Sequence, residues 1–372
     1  MAAGRWREKC VVHYDQDVET FFDGYFSDPS RYCLVIGGAG FDPRSAGIIE
    51  QLSGALGERL SAFMLKEERP DPDSELIRRA DENLAAIQRI CPNVQVASID
   101  IFASDNAVVG GHNTVRALQT VDFSQFTDVV IDMSALSLGV SFPVACFVYQ
   151  TAAIAENAQN VHLALFSNPA LDQSIRSEPN DVASEVRGFG VGELMGQEEK
   201  AVLWLPVLTE SKQHVLHTIH KHIDPDDTCP ILPFPSGDPK MGDRIAYNVF
   251  QSVRSDFGGP LENDWALEPQ NFLYSDERMP LDIYRSILRL AEERAEVFEA
   301  FGGSTIVLSP LGSKIPAIGA LMAALEHEFP VVYVEALSYT VDDWQKVDGL
   351  DTNESKLTHV WLCGEAYHSV SK

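Results

Sequence analysis

The chain has 372 residues, 45% of them apolar and 22% charged, with 28 Lys plus Arg against 55 Asp plus Glu, a formal net charge of −27. Its length suits two or three domains or two similar halves, and its composition excludes a chain disordered in bulk. So acidic a surface excludes duplex DNA, RNA and anionic membranes, whose binding rests on Lys and Arg neutralising phosphates; a nucleotide ligand has to be small and held in a local basic pocket.

After an aromatic cluster (Phe21, Phe22, Tyr25, Phe26), the first strong strand is expected over residues 32–36. It runs into a glycine-rich turn at 37–47 and an apolar-periodic helix at 48–56, the strand, turn and helix order of a Rossmann unit. Strands are expected at 60–65 and 94–102 with a helix at 74–90 between them, then a strand at 128–133, a helix at 142–155 and a strand at 161–166. Residues 171–199 turn polar and glycine-bearing and read as a linker. Beyond it the alternation repeats: strand 201–208, helix 211–222, strand 230–234, helix 243–254, strand 271–274 and a long helix 280–301. A strand and helix over 304–325, a strand at 331–336 and a terminal edge strand at 359–363 follow. The expected fold is α/β: two Rossmann-like halves with mainly parallel sheets flanked by helices, residues 1–170 and 200–372, joined by the linker.

Six cysteines lie far apart, several in apolar runs, and form no CxxC, so free thiols and a cytoplasmic setting are expected. The first ten residues lack the apolar core of a signal peptide, and no apolar run reaches membrane-spanning length.

In open α/β sheets ligands bind beyond the carboxyl ends of the strands. The residues just after each apolar run form a polar ring: Asp42 and Arg44, residues 66–69, Asp132 and Ser134, Asn168, residues 210–212, 276–278 and 309–314, and Glu335. Two turns stand out. At 303–325 a β-branched run stops at Ser309-Pro310 and an apolar helix restarts after Gly312-Ser313-Lys314, placing one cation where a helix leaves backbone N–H groups for an anion. At 37–47, Gly38 and Gly40 fit part of a dinucleotide fingerprint, Pro43 breaks it, and Glu67 or Glu68 falls slightly late for a ribose-binding carboxylate. The bland alternative is that these glycines only make a tight turn. His214, His217 and His220 lack a carboxylate at ligand spacing, so no metal is expected there.

The stretch GGAGFDP resembles the GGTFDP motif of nucleotidylyltransferases, but Ser45 and Ile48 stand where that family has the two histidines of HxGH, and only Gly47 is retained. The stretch SPLGSKIPAIGALMAAL resembles the strand, small-residue loop and helix of CARF-type domains, Rossmann-like sensors of cyclic oligoadenylates in antiviral defence proteins. That resemblance implies Ser309, Gly312, Ser313 and Lys314 as ligand contacts. The leading expectation is a nucleotide- or phospholigand-binding sensor, or a subunit of a defence assembly with a protein partner or second copy, with its ligand held by Gly38, Gly40, Arg44, Ser134, Ser309, Gly312, Ser313 and Lys314. Two alternatives stand beside it: an enzyme acting on a nucleotide-like substrate, with Asp42 or Asp132 as acid or base and Arg44 as phosphate clamp, and a non-catalytic scaffold.

Overall fold

The computed structural model describes residues 5–154, 159–190, 200–209, 215–255, 271–350 and 355–367. In chain order it opens with β1 (Val11–Tyr14), α1 (Gln16–Phe26), β2 (Cys33–Gly38), α2 (Gly47–Leu56), β3 (Leu60–Glu68), α3 (Ser74–Ile90) and β4 (Asn93–Asp100). There follow α4 (Gly110–Leu118), β5 (Asp128–Asp132), α5 (Leu138–Ile154), β6 (Asn160–Ser167), α6 (Pro169–Ser174) and β7 (Ile175–Glu185). Then come β8 (Ala201–Val207), α7 (Leu216–Ile223), β9 (Asp227–Thr228), β10 (Ile231–Pro233), α8 (Met241–Ser255) and β11 (Leu273–Ser275). The last elements are α9 (Pro280–Phe298), β12 (Ser304–Pro310), α10 (Lys314–His327), β13 (Val332–Val341), α11 (Trp344–Asp348) and β14 (Lys356–Cys363).

Two compact units result: Cys10–Glu178 with Leu337–Lys372, and Met1–Lys9 with Pro179–Ala336. The chain passes from one to the other between Lys9 and Cys10, within β7 and within β13; β7 and β13 pair with each other. This division differs from the expected cut into 1–170, a linker and 200–372. The expected linker holds most of α6 and the whole of the eleven-residue strand β7, whose polar, exposed or half-buried residues form no apolar run. The C-terminal segment goes to the first unit because β14 pairs there.

The first unit is built on a seven-stranded sheet of order β1-β14-β6-β5-β2-β3-β4. Strands β6, β5, β2, β3 and β4 are parallel, and β14 runs antiparallel to both β6 and β1. Counted from β2, the parallel strands have the order 3-2-1-4-5 of a doubly wound sheet, with the reversal between β2 and β5. Both of these strands are buried along their whole length, as continuous apolar runs in the middle of a parallel sheet require. The terminal strand is not the edge strand that its position in the sequence suggested. β14 lies inside, paired on one side with β6 and on the other with β1, a four-residue strand too short to stand out. α4, likewise not expected, packs against α5.

The second unit carries a smaller sheet with the same logic. Its order is β11-β10-β8-β12, all parallel, with β9 beside the first half of β8 and a Leu308–Val331 bridge that sets the start of β13 on the far side of β12. Counted from β8, this is again 3-2-1-4-5, reversing between β8 and β12. The fold is therefore α/β with two Rossmann-like halves. Here α10 crosses α9 closely enough that a Cβ on Gly319 would lie 2.2 Å from the Pro280 carbonyl oxygen, which explains a glycine inside an apolar helix.

Candidate functional site

The reversal between β2 and β5 puts the ends of those strands side by side, the place where the following loops part in a doubly wound sheet. Gly38 at the end of β2, Gly40 beyond it and Gly47 at the start of α2 have different jobs. A Cβ on Gly38 would lie 2.9 Å from the Ala135 carbonyl oxygen, so Gly38 serves the close approach of the two loops. A Cβ on Gly47 would lie 2.8 Å from the Phe166 ring, so Gly47 lets α2 sit down on β6, the helix–strand packing role of the last glycine in a dinucleotide fingerprint. Gly40 has no heavy atom within 4 Å of its Cβ position and faces open space. The loop around it is pinned: Asn83 Nδ2 of α3 donates to the carbonyls of Gly40 and Asp42 at 2.9 and 3.0 Å.

Arg44 is held by the protein itself. Its Nε donates to Asp42 Oδ1 at 2.9 Å, and its Nη2 reaches Asp42 Oδ2 at 2.7 Å and Asp172 Oδ1 at 2.9 Å. Burial works against the charge, yet the two carboxylates outweigh it and the guanidinium's pKa is raised. Arg44 thus braces the turn before α2 to α6, and Asp42 also caps that turn by accepting from the Arg44 backbone N–H. The phosphate-clamp role expected of Arg44 would have to compete with two carboxylates already in contact.

Asp132 and Ser134 come together at the end of β5, both buried. The Ser134 N–H donates to Asp132 Oδ1 at 2.9 Å, and Ser134 Oγ accepts from the Phe166 N–H at 2.9 Å, tying β5 to β6. Asp132 lies against Gly37, whose Cβ position is 3.3 Å from the aspartate Cβ. Asp42 and Asp132 are therefore both engaged within their own loops, and the acid–base role expected of them gains nothing from this arrangement.

At the end of β3, Glu67 occupies the place where a Rossmann unit carries its ribose-binding acid. It accepts from the Ser137 N–H at 2.8 Å and pairs with Arg69 at 2.8 Å. Arg69 lies over the Tyr339 ring at 4.9 Å, and Phe41 meets Tyr339 and Trp344 with centroids 5.7 and 6.3 Å apart. Counting residues from the glycines made Glu67 look late; the strand end, set by the longer turn before α2, is what places it.

The 309–314 turn belongs to the other unit, and it stands at that sheet's own reversal. Ser309 is fully buried; its Oγ donates to the Val332 carbonyl at 2.6 Å and accepts from Trp204 Nε1 at 2.9 Å, so it joins strands and faces the core. The Leu311 N–H donates to the Val207 carbonyl at 2.9 Å, and a Cβ on Gly312 would lie 3.3 Å from Val207 Cγ1. Gly312, Ser313 and Lys314 are half-buried, with Ser313 at the N-cap and Lys314 opening α10. The expected 210–212 part of the ring and His214 lie outside the described residues. His217 is exposed and His220 is buried beside Trp204, and no group able to hold a metal ion occurs among the described residues. None of the six cysteines is in a disulfide, and no helix among the described residues is long and apolar enough to cross a membrane.

One cluster escaped the sequence reading altogether. His13 (β1), His359 (β14) and His162 (β6) form a row that ends on Asp128 at the start of β5. Their ring nitrogens stand 3.0 Å apart for His13 to His359 and 2.9 Å for His359 to His162, and His162 Nε2 is 3.2 Å from Asp128 Oδ1. One set of neutral tautomers fits: His162 donates to Asp128, His359 Nε2 donates to His162 Nδ1, and His13 Nδ1 donates to His359 Nδ1. Asp128 also accepts from Tyr25 at 2.9 Å and Thr127 at 2.5 Å, and Arg31 is 3.7 Å away. Burial alone would raise the Asp128 pKa; the bonds from His162, Thr127 and Tyr25 reverse that and lower it. Burial, then the charges possible on His162 and His13, holds His359 well below 6.5, and burial lowers His13 as well despite Asp17. The three motifs VVHY, NVHLAL and LTHVWL each carry a histidine inside an apolar strand, a signal readable only once the strands are known to be neighbours.

No protein-family model and no curated protein matches the chain. Among solved structures, a candidate rRNA methylase from Clostridium thermocellum overlays 42% of this chain and 85% of its own at 9% identity and a TM-score of 0.23. The glycopeptide N-methyltransferase MtfA complexed with sinefungin overlays 46% of this chain and 60% of its own at 16% identity and a TM-score of 0.20. A candidate universal stress protein from Pseudomonas aeruginosa UCBPP-PA14 overlays 84% of this chain and 95% of its own at 8% identity and a TM-score of 0.23. Similarity at this level assigns no function, and the fold class rests on the strand orders above.

Two outcomes follow from the geometry. Arg44→Ala leaves Asp42 and Asp172 without their buried partner and is expected to cost about 3 kcal/mol of stability in urea unfolding; a loss within about 0.5 kcal/mol, the range of ordinary surface changes, would show that the brace is dispensable. For the histidine row, the unfolded chain takes up protons on His13 and His359 near their ordinary 6.5 while the folded chain resists until lower pH. Stability is therefore full above about 6.5 and declines as pH falls below it. Denaturant midpoints at pH 7.5 and 5.5 check this, and equal midpoints would contradict it.

Proposed function

We propose that this chain is a Rossmann-like protein that binds a small nucleotide-like ligand at the carboxyl edge of the seven-stranded sheet, where β2 and β5 part. The carrying observation is Gly40. It lies at the topological reversal, in a loop fixed by Asn83, and the space beside its Cα is open where that beside Gly38 and Gly47 is filled. A loop so constrained, with one face open, is preorganised to receive a ligand. Glu67 at the end of β3 supplies the acidic group that the same architecture places near a ribose.

In this reading Gly38 and Arg44 shape the site and Gly40 borders the ligand. A sensor, or a subunit of an antiviral assembly, is the role that the resemblance of residues 309–325 to CARF-type domains implies, and a ligand-binding chain could serve in it. The half-buried Gly312, Ser313 and Lys314 occupy the corresponding edge of the smaller sheet and would be a second place for a ligand.

Gly40→Leu separates these readings, because its side chain enters open space and leaves the fold intact. In calorimetry with a panel of ribonucleosides and ribonucleotides, wild type is expected to bind, Gly40→Leu to lose binding at least about tenfold, and Lys314→Ala to retain it. Unchanged affinity in Gly40→Leu would remove the site from this edge, and loss in Lys314→Ala would move it to the other sheet.

A further inference from the structure

The charges around the open loop narrow the class of ligand. Around this edge the cations Arg44, Lys66 and Arg69 are paired to carboxylates: Arg44 to Asp42 and Asp172, Lys66 to Glu68 and Asp81 at 3.8 and 3.5 Å, and Arg69 to Glu67. Arg79, which covers the Trp344 ring at 3.9 Å, is paired likewise to Glu75 and Asp348, so with the buried Asp132 these described residues set four cations against eight carboxylates. A polyphosphate arriving there meets a local excess of its own sign, and to recruit a cation it has to break an existing ion pair.

The same edge does offer flat apolar surface. Phe41 follows Gly40 directly and is half-buried; its contacts with Tyr339 and Trp344 are tilted and edge-on, with interplanar angles of 52° and 86°. Neither neighbour lies parallel to the Phe41 ring, and the half-buried side chain keeps part of its surface exposed, the part on which a planar base would stack. Glu67 is linked to this group through Arg69, which pairs with Glu67 and covers Tyr339. A carboxylate accepts hydrogen bonds, so a ribose hydroxyl suits Glu67 and a phosphate does not.

Resting on the site proposed above, we infer that its ligand is an uncharged or cationic nucleoside, with the base on Phe41 and the sugar hydroxyls toward Glu67, rather than a nucleotide polyphosphate. This deepens the nucleotide-like reading and departs from the phosphate site that the glycine turn suggested.

The test compares each of the four ribonucleosides with its own 5′-triphosphate, and adenosine with 5′-amino-5′-deoxyadenosine, by calorimetry on the full chain at low and high salt. The expected result is that at least one nucleoside binds about tenfold or more tightly than its triphosphate, that the amino nucleoside binds at least as well as adenosine, and that salt narrows the gap to the triphosphate. Phe41→Ala is expected to weaken the nucleoside about tenfold and Phe41→Tyr to restore it, with thermal melts confirming that both variants fold. Triphosphates binding more tightly than nucleosides would overturn this inference and leave the proposed site standing. Binding indifferent to Phe41→Ala would overturn it as well, and no binding of either class would overturn both.

Discussion

The reversal of strand order between β2 and β5 is the constraint from which the rest of the larger unit follows. Parallel neighbours cannot be joined by hairpins, so every link between them is a crossover of one hand, and strands added on either side of β2 send their helices to opposite faces. Where the direction of winding changes, the two loops after β2 and β5 diverge and cannot fill the space beyond the strand ends as neighbouring loops elsewhere do. The glycines fit that geometry. Gly38 brings the loops together at the sheet, Gly47 brings α2 down onto it, and Gly40 stands where the loops separate. The smaller sheet repeats the reversal between β8 and β12, with Gly312 set against Val207 in its own turn.

Holding such an edge in place takes buried polar groups, and each must find a partner. Arg44 spans the turn before α2 and the start of α6, Asn83 reaches from α3 to two carbonyls of the Gly40 loop, and Ser134 ties β5 to β6. These contacts define the shape of the loops while leaving the backbone at Gly40 open. A residue type that signals phosphate binding in sequence, an arginine after a glycine turn, acts here as a structural clamp. The difference lies in Asp42 two residues before it and in Asp172, which only the fold brings near.

This division between local and distant partners describes how much could be read from the sequence. Strand, glycine turn and helix at residues 33–56 were legible because periodicity and turn chemistry are local, and the alternation of elements was enough for the fold class. The antiparallel side of the larger sheet and the β7–β13 pair were not legible. β1 is too short to register, β14 has no mark that it returns to pair with β6, and β7 is too polar to read as a strand. The candidate site divides in the same way. Gly38, Gly40, Asp132 and Ser134 do lie at the ends of β2 and β5, as strand endings predict. The employment of Arg44 and Ser309, and the place of Glu67 beside Phe41 and Tyr339, depend on contacts between segments far apart in sequence.

β5 shows how differently the two ends of the larger sheet are built. Its sequence, DVVID, is buried throughout and puts a carboxylate at both ends. Asp128, at the amino end, is closed in by His162, Tyr25 and Thr127, with His359 and His13 extending the row under the aromatic side chains of α1. That arrangement fills its space with rings and uses its hydrogen bonds internally, so it contributes a pH-dependent element of stability. Asp132, at the carboxyl end, is met by the backbone of its own loop and by Gly37 of the neighbouring strand β2. Gly37 and Gly38 let the backbones approach closely there, while Gly40, further along the loop, leaves space beside it. The two ends, built around chemically identical carboxylates, thus differ in what closes them: rings and internal hydrogen bonds at Asp128, backbone and a glycine at Asp132, the end at which the ligand is proposed to sit.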